Sequence, residues 1–365
     1  PCPASATGLD DAWPLEVKGP LRWQDKAFGF GPFDGQVAGR TVAGDLTLMP
    51  ERNRIEGRLA LPALDIEDLV GLMTGPIPPP TTGSFWPSAR FADVSGQGVD
   101  LSVGLAVNQF SLGRDVMLTR SRLQVQREGE TLSLQLQQGQ FGTGQVGGQM
   151  TIRRDGGRLG AMVKLTVQDL ALPDLLGVQN GFGGQIGFVL DGGSSGSSIA
   201  ELVSRSNGAG VLSWRQGQIS ALDPSAIGRV VGAARGMPEL SRLRADMMRE
   251  FQQAPFTFEK VDLPVSLSDG VLRMASVAIP NDTAPLQMSG VFDLRSLGVE
   301  ARFSMIAKPP QGWKGPAPDV QVSLTRSAEE RLQRDVNVSS LFALLTTRAV
   351  EIETDGLIEE QQKKN

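Results

Sequence analysis

Gly192-Gly-Ser194-Ser-Gly196 has the G-x-S-x-G spacing that, on a sharp strand-to-helix turn, presents a serine hydroxyl to a substrate carbonyl. Acyl transfer from such a serine needs an imidazole to take its proton, and the chain holds no histidine. Ser194 therefore reads as part of a Gly/Ser loop leading into a helix from Ile199 to Ser206. Gly142-x-Gly144-x-x-Gly147 matches the dinucleotide fingerprint, yet a strand from Gln149 to Ile152 follows it, and no helix N-terminus is there to receive a pyrophosphate. The carboxylate pairs Asp10/Asp11 and Asp65/Asp68 lie in polar flanks or at helix starts, where capping accounts for them. Cys2, the single cysteine, supplies neither a disulfide nor a thiolate cluster for metal. With 35 basic and 40 acidic residues the net charge is −5, which gives no field for gathering nucleic acid. The residues that could do chemistry thus define no catalytic residue, no metal ligand and no cofactor, and the chain is expected not to be an enzyme.

What must position side chains here is mostly strand. Apolar residues alternate with polar ones at Leu101, Val103, Leu105 and Val107, at Leu132, Leu134 and Leu136, at Val163, Leu165 and Val167, and at Val320, Val322 and Leu324. A period of two puts each set on one face of its strand. Arg154-Asp155-Gly156-Gly157, Glu128-Gly129 and Asp269-Gly270 separate such runs with residues that accept positive φ, so neighbouring strands are expected to be antiparallel. The 44 glycines and 23 prolines imply many tight turns, and strand is expected to exceed helix by more than twofold. Gly44-Asp-Leu-Thr-Leu, Gly148-Gln-Met-Thr-Ile and Gly290-Val-Phe-Asp-Leu repeat one phrase, in which a strand is expected to start at the glycine.

A longer phrase is also written twice. LALPALDIEDLVGL, from Leu59 to Leu72, aligns without a gap on LTVQDLALPDLLGV, from Leu165 to Val178. Leu64 matches Leu170, Ile66 matches Leu172, and Asp68, Leu69 and Gly71 match Asp174, Leu175 and Gly177. Each copy reads as a meander of strands closed by a short helix that begins near Asp65 or Pro173, where Asp caps and Pro suits the first turn. The fold class is accordingly mainly β: an elongated, curled antiparallel sheet, an open groove or half-barrel, built from repeats, with short amphipathic helices at the repeat ends and a C-terminal helix. The glycines either simply permit bends or let the repeats stack into one long surface.

GPIPPPTTGSFWP, from Gly75 to Pro87, blocks helix and central strand alike and reads as a linker or a packed extended segment pinned by Phe85 and Trp86, with docking to a proline-reading domain as the other reading. A helical region runs from Asp223-Pro224 through Arg249, with Ile227, Val230, Val231, Leu240, Leu243, Met247, Met248 and Phe251 at helical spacing, and Gly236-Met237-Pro238 is expected to split it. Its Met pair fills core or offers an adaptable binding face. Val338, Leu341, Phe342, Leu345, Ala349 and Ile352 make a last stripe behind the cap candidate Asn337, fit to cover the sheet's end or to bind a protein partner. The chain begins with Pro1 and carries no signal peptide or apolar run long enough to span a bilayer, and it reads as a processed product or a piece of a longer protein.

Gly208-Ala-Gly-Val-Leu-Ser-Trp-Arg-Gln-Gly-Gln-Ile-Ser-Ala-Leu-Asp-Pro resembles the C-terminal region of the AsmA family. Phe256-Thr-Phe through Gly270-Val-Leu-Arg, then Gly290-Val-Phe-Asp-Leu, then Val338-Ser-Ser-Leu and Leu345-Thr-Thr-Arg-Ala-Val-Glu resemble consecutive phrases of its alphaproteobacterial branch. Ala221 stands where the family carries Gly or another small residue. The resemblance covers roughly residues 95 to 355, the N-terminal third fitting as an earlier repeat, and with the proline run the chain is expected to have four parts. These are an N-terminal β repeat over 1–75, a Pro-rich linker over 76–92, an AsmA-like β-groove region over 93–326 with inserted helices at 197–207 and 223–253, and a helical tail over 327–365. The resemblance further implies a periplasmic body, anchored in the bacterial inner membrane by an N-terminal helix missing from this chain. Such a protein is similar to bridge-like lipid transfer proteins and would hold or conduct phospholipid acyl chains between the inner and outer membranes. The alternating residues named above, Leu101 through Leu324, then become groove candidates, with Leu134, Leu165 and Val322 expected to include side chains that face lipid. The alternative is a non-catalytic scaffold in outer-membrane assembly, its inward face plugged by its own side chains.

Overall fold

A computed structural model describes residues 15–37, 40–80, 83–92, 98–113, 116–233, 240–306, 308, 317–327 and 331–347. Strands make up 61% and helices 16%, beyond the expected twofold margin. Among the described residues all strands belong to one hydrogen-bonded sheet of 18. The described residues fall into two compact units, one drawn from 1–79, 87–166 and 193–202, the other from 80–86, 167–192 and 203–365. Asp10, Asp11, Cys2, Gly236-Met237-Pro238, Ala349 and Ile352 lie outside the described residues, as do the side chains of Val231, Leu240 and Leu243.

In the first unit, β1 (Leu15–Lys18) and β2 (Leu21–Gln24) both pair with β3 (Ala27–Val37), and β4 (Arg40–Met49) and β5 (Arg54–Asp65) continue the antiparallel meander. The helix α1 (Ile66–Thr74) follows β5 as the sequence leads one to expect; the Asp65 amide donates to Asp68 Oδ2 at 3.3 Å, one half of a capping box. The next strand, β6 (Asp100–Ser111), then lies parallel to β5, contrary to the expectation of antiparallel neighbours throughout. A parallel neighbour requires a long crossover, and α1 with the proline-rich segment supplies one. Antiparallel pairing resumes through β7 (Met117–Glu128), β8 (Thr131–Phe141) and β9 (Gly144–Asp155). Register sets Val103, Val125, Leu134 and Met150 in one row and Leu105, Leu123, Leu136 and Gly148 in the next, so the alternating residues share a face. Leu69 and Met73 of α1 are buried in the same unit. Arg154 is buried too: its guanidinium donates to the carbonyls of Met73, the penultimate α1 residue, and of Ala92, and its Nε donates to Gly156 O at 3.0 Å. A cation there satisfies a carbonyl that the helix end leaves free.

Two strands contribute to both units, β10 (Arg158–Ala171) and β11 (Phe182–Gly196), joined by the short helix α2 (Leu172–Leu176), with Pro173 in its first turn. The Gly192 to Gly196 run corrects the sequence reading: it is the end of β11, not a loop, and α3 (Ile199–Ser204) follows directly. Small residues suit this strand because the backbone of Asn207 and Gly208 lies against it, where a Cβ at Gly192 would come within 2.9 Å of the Asn207 carbonyl. Ser194 donates its hydroxyl to the Leu202 carbonyl. The glycine phrase is corrected as well, since Gly44, Gly148 and Gly290 fall inside β4, β9 and a later strand rather than at strand starts. Neighbouring backbone passes close there; a Cβ at Gly148 would stand 2.5 Å from the Lys164 carbonyl.

The second unit is an antiparallel meander of β12 (Asn207–Ile219), β13 (Phe256–Ser268), β14 (Val271–Ile279), β15 (Leu286–Asp293), β16 (Gly298–Ile306), β17 (Asp319–Arg326) and β18 (Gln333–Asn337). Asp269 and Gly270, at φ 49° and 76°, make the two-residue turn that the sequence proposed between β13 and β14. The described residues of the proline-rich segment stay out of the sheet, and in this unit Trp86 Nε1 donates to Leu294 O at 2.7 Å, a pin of the kind expected.

Besides α2, this unit holds α4 (Ala226–Ala233), α5 (Leu240–Phe251) and α6, over 339–347. Met247 and Phe251 are buried, so Met247 fills core, while Met248 is half-buried. Asn337 Oδ1 receives the Ser339 amide at 2.9 Å ahead of α6, and Ser340 Oγ receives the Asp319 amide and donates to its carboxylate, fixing α6 to the start of β17. Val338, Leu341 and Leu345 of the C-terminal stripe are buried.

Arg229 ties α4 to α5. Its guanidinium meets Asp223 at 2.7 Å and Glu250 at 2.6 Å. Burial alone would raise the Asp223 carboxyl, but hydrogen bonds from Arg229, from the Ser225 hydroxyl and from the Ser225 amide outweigh it and hold the pKa below the usual value. Asp223→Asn is expected to lower unfolding free energy by about 1.5–3 kcal/mol, the cost of hydrogen bonds to a charged group. A depressed carboxylate contributes fully above its unfolded pKa of about 3.9 and loses that contribution as pH falls through its lower folded value. Urea melts at falling pH should therefore show wild type and variant converging below about pH 4; a gap unchanged with pH would contradict the assignment.

Candidate functional site

The registers of β15, β16 and β17 set four rows on one face. Leu286, Met305 and Val320 form the first, Met288, Phe303 and Val322 the second, Gly290, Ala301 and Leu324 the third, and Phe292, Val299 and Arg326 the fourth. The first two rows are sealed, with Leu286, Met288, Met305, Val320 and Val322 all at 0% exposure. The third changes character because two of its three residues are small. Where large neighbours would fill the face, Gly290 opposite Ala301 leaves a trough.

That trough is part of an apolar groove of about 260 Å³ in the second unit. Its floor is Gly290, Ala301 and Leu324; β13 and β14 add Leu263, Val265, Leu272 and Met274, and α2 adds Leu172, Leu175 and Leu176. Among its twenty lining residues only Glu300 is charged, and that side chain is 66% exposed. An aromatic cluster stiffens one wall. Phe182 lies 5.0 Å from Phe303 and 6.2 Å from Trp214, and Trp214 meets Phe258 edge-on at 4.9 Å, with its indole N–H satisfied by Gly183 O at 2.9 Å. On Phe182 sits the Arg334 guanidinium, 5.7 Å from the ring centroid, its pKa pushed down by burial. Leu175 and Val291, both exposed, carry the apolar surface out to the rim, where Glu300 is the one charge.

Of the residues singled out by alternation, Leu324 alone is in this lining. Val320 and Val322 lie in the sealed rows beside it. Val103, Leu105, Val107, Leu132 and Leu134 are buried in the first unit, where Leu101, Leu136, Val163 and Leu165 are half-buried; Val167, in the second, is half-buried. Leu134, Leu165 and Val322, expected to include lipid-facing positions, are thus 4% exposed, half-buried and 0% exposed respectively. Sequence reasoning missed the α2 leucines and the Gly290/Ala301 floor. The signal was present for both: the repeated phrase contains Leu175, and the glycine phrase starts at Gly290. The two copies of the long phrase differ in one telling place, for Leu69 is 6% exposed and its counterpart Leu175 is 50% exposed.

An apolar groove with a polarisable aromatic wall holds alkyl chains or flat apolar rings, each buried methylene contributing about 0.8 kcal/mol. The one ionisable group in its lining is the Glu300 carboxylate, on the solvent side. Among the described residues no cluster of three His, Cys, Asp or Glu could hold a metal ion, and no helix is long and apolar enough to cross a membrane. No family model, curated protein or solved structure matches the chain.

Proposed function

We propose that the chain binds the acyl chain of an amphiphilic lipid, with phospholipid the first candidate, in the groove of its second unit. The observation that carries this is the lining itself, twenty residues with a single charge at its open side. A well-formed apolar concavity is the ordinary place for a small-molecule ligand on a folded domain. The volume, just under the roughly 300–1,000 Å³ of small-molecule clefts, suits part of one chain and leaves a head group in water. Together with the resemblance to the AsmA family, this supports the role of a periplasmic, inner-membrane-anchored envelope protein that conducts phospholipid toward the outer membrane. The chemistry is binding without catalysis, since Ser194 lacks an imidazole anywhere in the chain.

A second reading, a structural scaffold, is favoured by the sealing of the faces that carry Leu134 and Val322. Photo-crosslinking separates the two. With p-benzoylphenylalanine at Leu175, on the groove rim, the protein purified from cells should carry crosslinked lipid, and the same residue at Val178, 79% exposed and outside the lining, should not. Equal or absent crosslinking at both positions would favour the scaffold.

A further inference from the structure

The first unit carries a concentration of arginine that neither the groove nor the packing uses. Arg153 and Arg158 flank the turn from β9 to β10, and Arg90 lies in the extended segment beside α3. Two adjoining clefts open between them and share Arg158: one of about 520 Å³ lined by Arg153, Arg158, Asp155 and Ser195 among others, one of about 310 Å³ lined by Arg90, Arg158, Gly157 and Ser197. Their positions are set by backbone. The Phe91 amide donates to Ser197 O and the Ala200 amide to Pro87 O, both at 2.9 Å, which holds Arg90 against the cleft. Arg154, whose guanidinium is spent on the Met73 and Ala92 carbonyls, makes the inner wall.

Charge is out of balance here. Arg90 and Arg153 are exposed, and their side chains have no hydrogen-bond or ion-pair partner among the described residues. Arg158 approaches Glu201 only at 3.9 Å, while the other Glu201 oxygen is held by the Ser197 amide and hydroxyl, each at 2.7 Å. Against four guanidinium groups stand the carboxylates of Asp155 and Glu201, so the site is positive in a chain of net charge −5. The unpaired guanidinium groups of Arg90 and Arg153, with the loosely held Arg158 between them and the Ser195 hydroxyl in the cleft wall, match a tetrahedral oxyanion with several acceptors.

We propose that these clefts bind a phosphate group, carried by an anionic lipid headgroup or free in solution. The inference concerns the first unit and stands or falls apart from the acyl groove. It is tested by flotation of the full chain with phosphatidylcholine vesicles, with and without phosphatidylglycerol, and by calorimetric titration with inorganic phosphate and pyrophosphate. The variant is Arg153→Gln/Arg158→Gln, with Arg154 retained; both sites are exposed, so its thermal melt should match wild type and serves as the folding control. Binding to the phosphatidylglycerol vesicles, weakened at least about tenfold in the variant and falling with added salt, assigns the site to a headgroup. Saturable pyrophosphate or phosphate binding with the same loss, and no vesicle binding, assigns it to a soluble phosphate compound. The proposal is overturned if wild type binds neither, if pure phosphatidylcholine vesicles bind equally well, if the variant binds like wild type, or if single-stranded DNA binds as tightly as the vesicles.

Discussion

Val322→Arg is expected to abolish cooperative folding of the second unit. Val322 is 0% exposed, paired with Phe303 on one side and Val336 on the other, in a row with Met288. A guanidinium there would be buried without a partner, at a cost of several kcal/mol, comparable with the roughly 5–15 kcal/mol that holds a whole domain together. Circular dichroism and calorimetry should show the transition lost or its midpoint lowered by tens of degrees. Leu134→Arg, at 4% exposure in the first unit, should behave alike. A Val322→Arg protein that melts like wild type would mean that the sealed rows open to solvent, and the boundary drawn between core and groove would be wrong.

One row away, the expected result reverses. Ala301→Trp should leave the melting temperature within a few degrees of wild type and reduce bound lipid at least about tenfold, because the added ring enters the groove rather than the core. Ala301 faces Gly290, where even a Cβ would meet the Met274 methyl at 3.2 Å, so the floor is narrow and one indole occupies it. In a closed core the same enlargement would cost about 1–3 kcal/mol or more through overpacking. Stability and lipid content, measured on the same sample, separate the two cases. A variant that stays folded and keeps its lipid would place the ligand elsewhere.

The contrast between neighbouring rows shows what a single sequence discloses. Alternation at Val320, Val322 and Leu324 was enough to define a strand and its inner face, because the period of two is a local property of the backbone. Asp65, Pro173 and the Asp269-Gly270 turn were legible for the same reason: caps and positive-φ turns are decided within a few residues. Whether an inward face is packed or open is decided across strands. Leu324 lines a groove and Val322 does not because register sets the former beside Ala301 and Gly290, and no single strand contains that information. The Gly192 to Gly196 run misled through composition, since Gly and Ser usually mark loops, whereas here small residues let one strand backbone lie close on another. The parallel partnership of β5 and β6 was hidden in the same way, since it depends on where the chain returns after a long crossover.

Native mass spectrometry of the wild-type chain purified from the cells that express it asks whether the groove of the second unit holds an acyl chain. Ions heavier than the bare polypeptide by the mass of one phospholipid or fatty acid are expected, retained under gentle activation and absent from Ala301→Trp prepared in parallel. The bare mass alone for wild type, unchanged after incubation with phospholipid and with free fatty acid, would contradict an acyl chain in the groove.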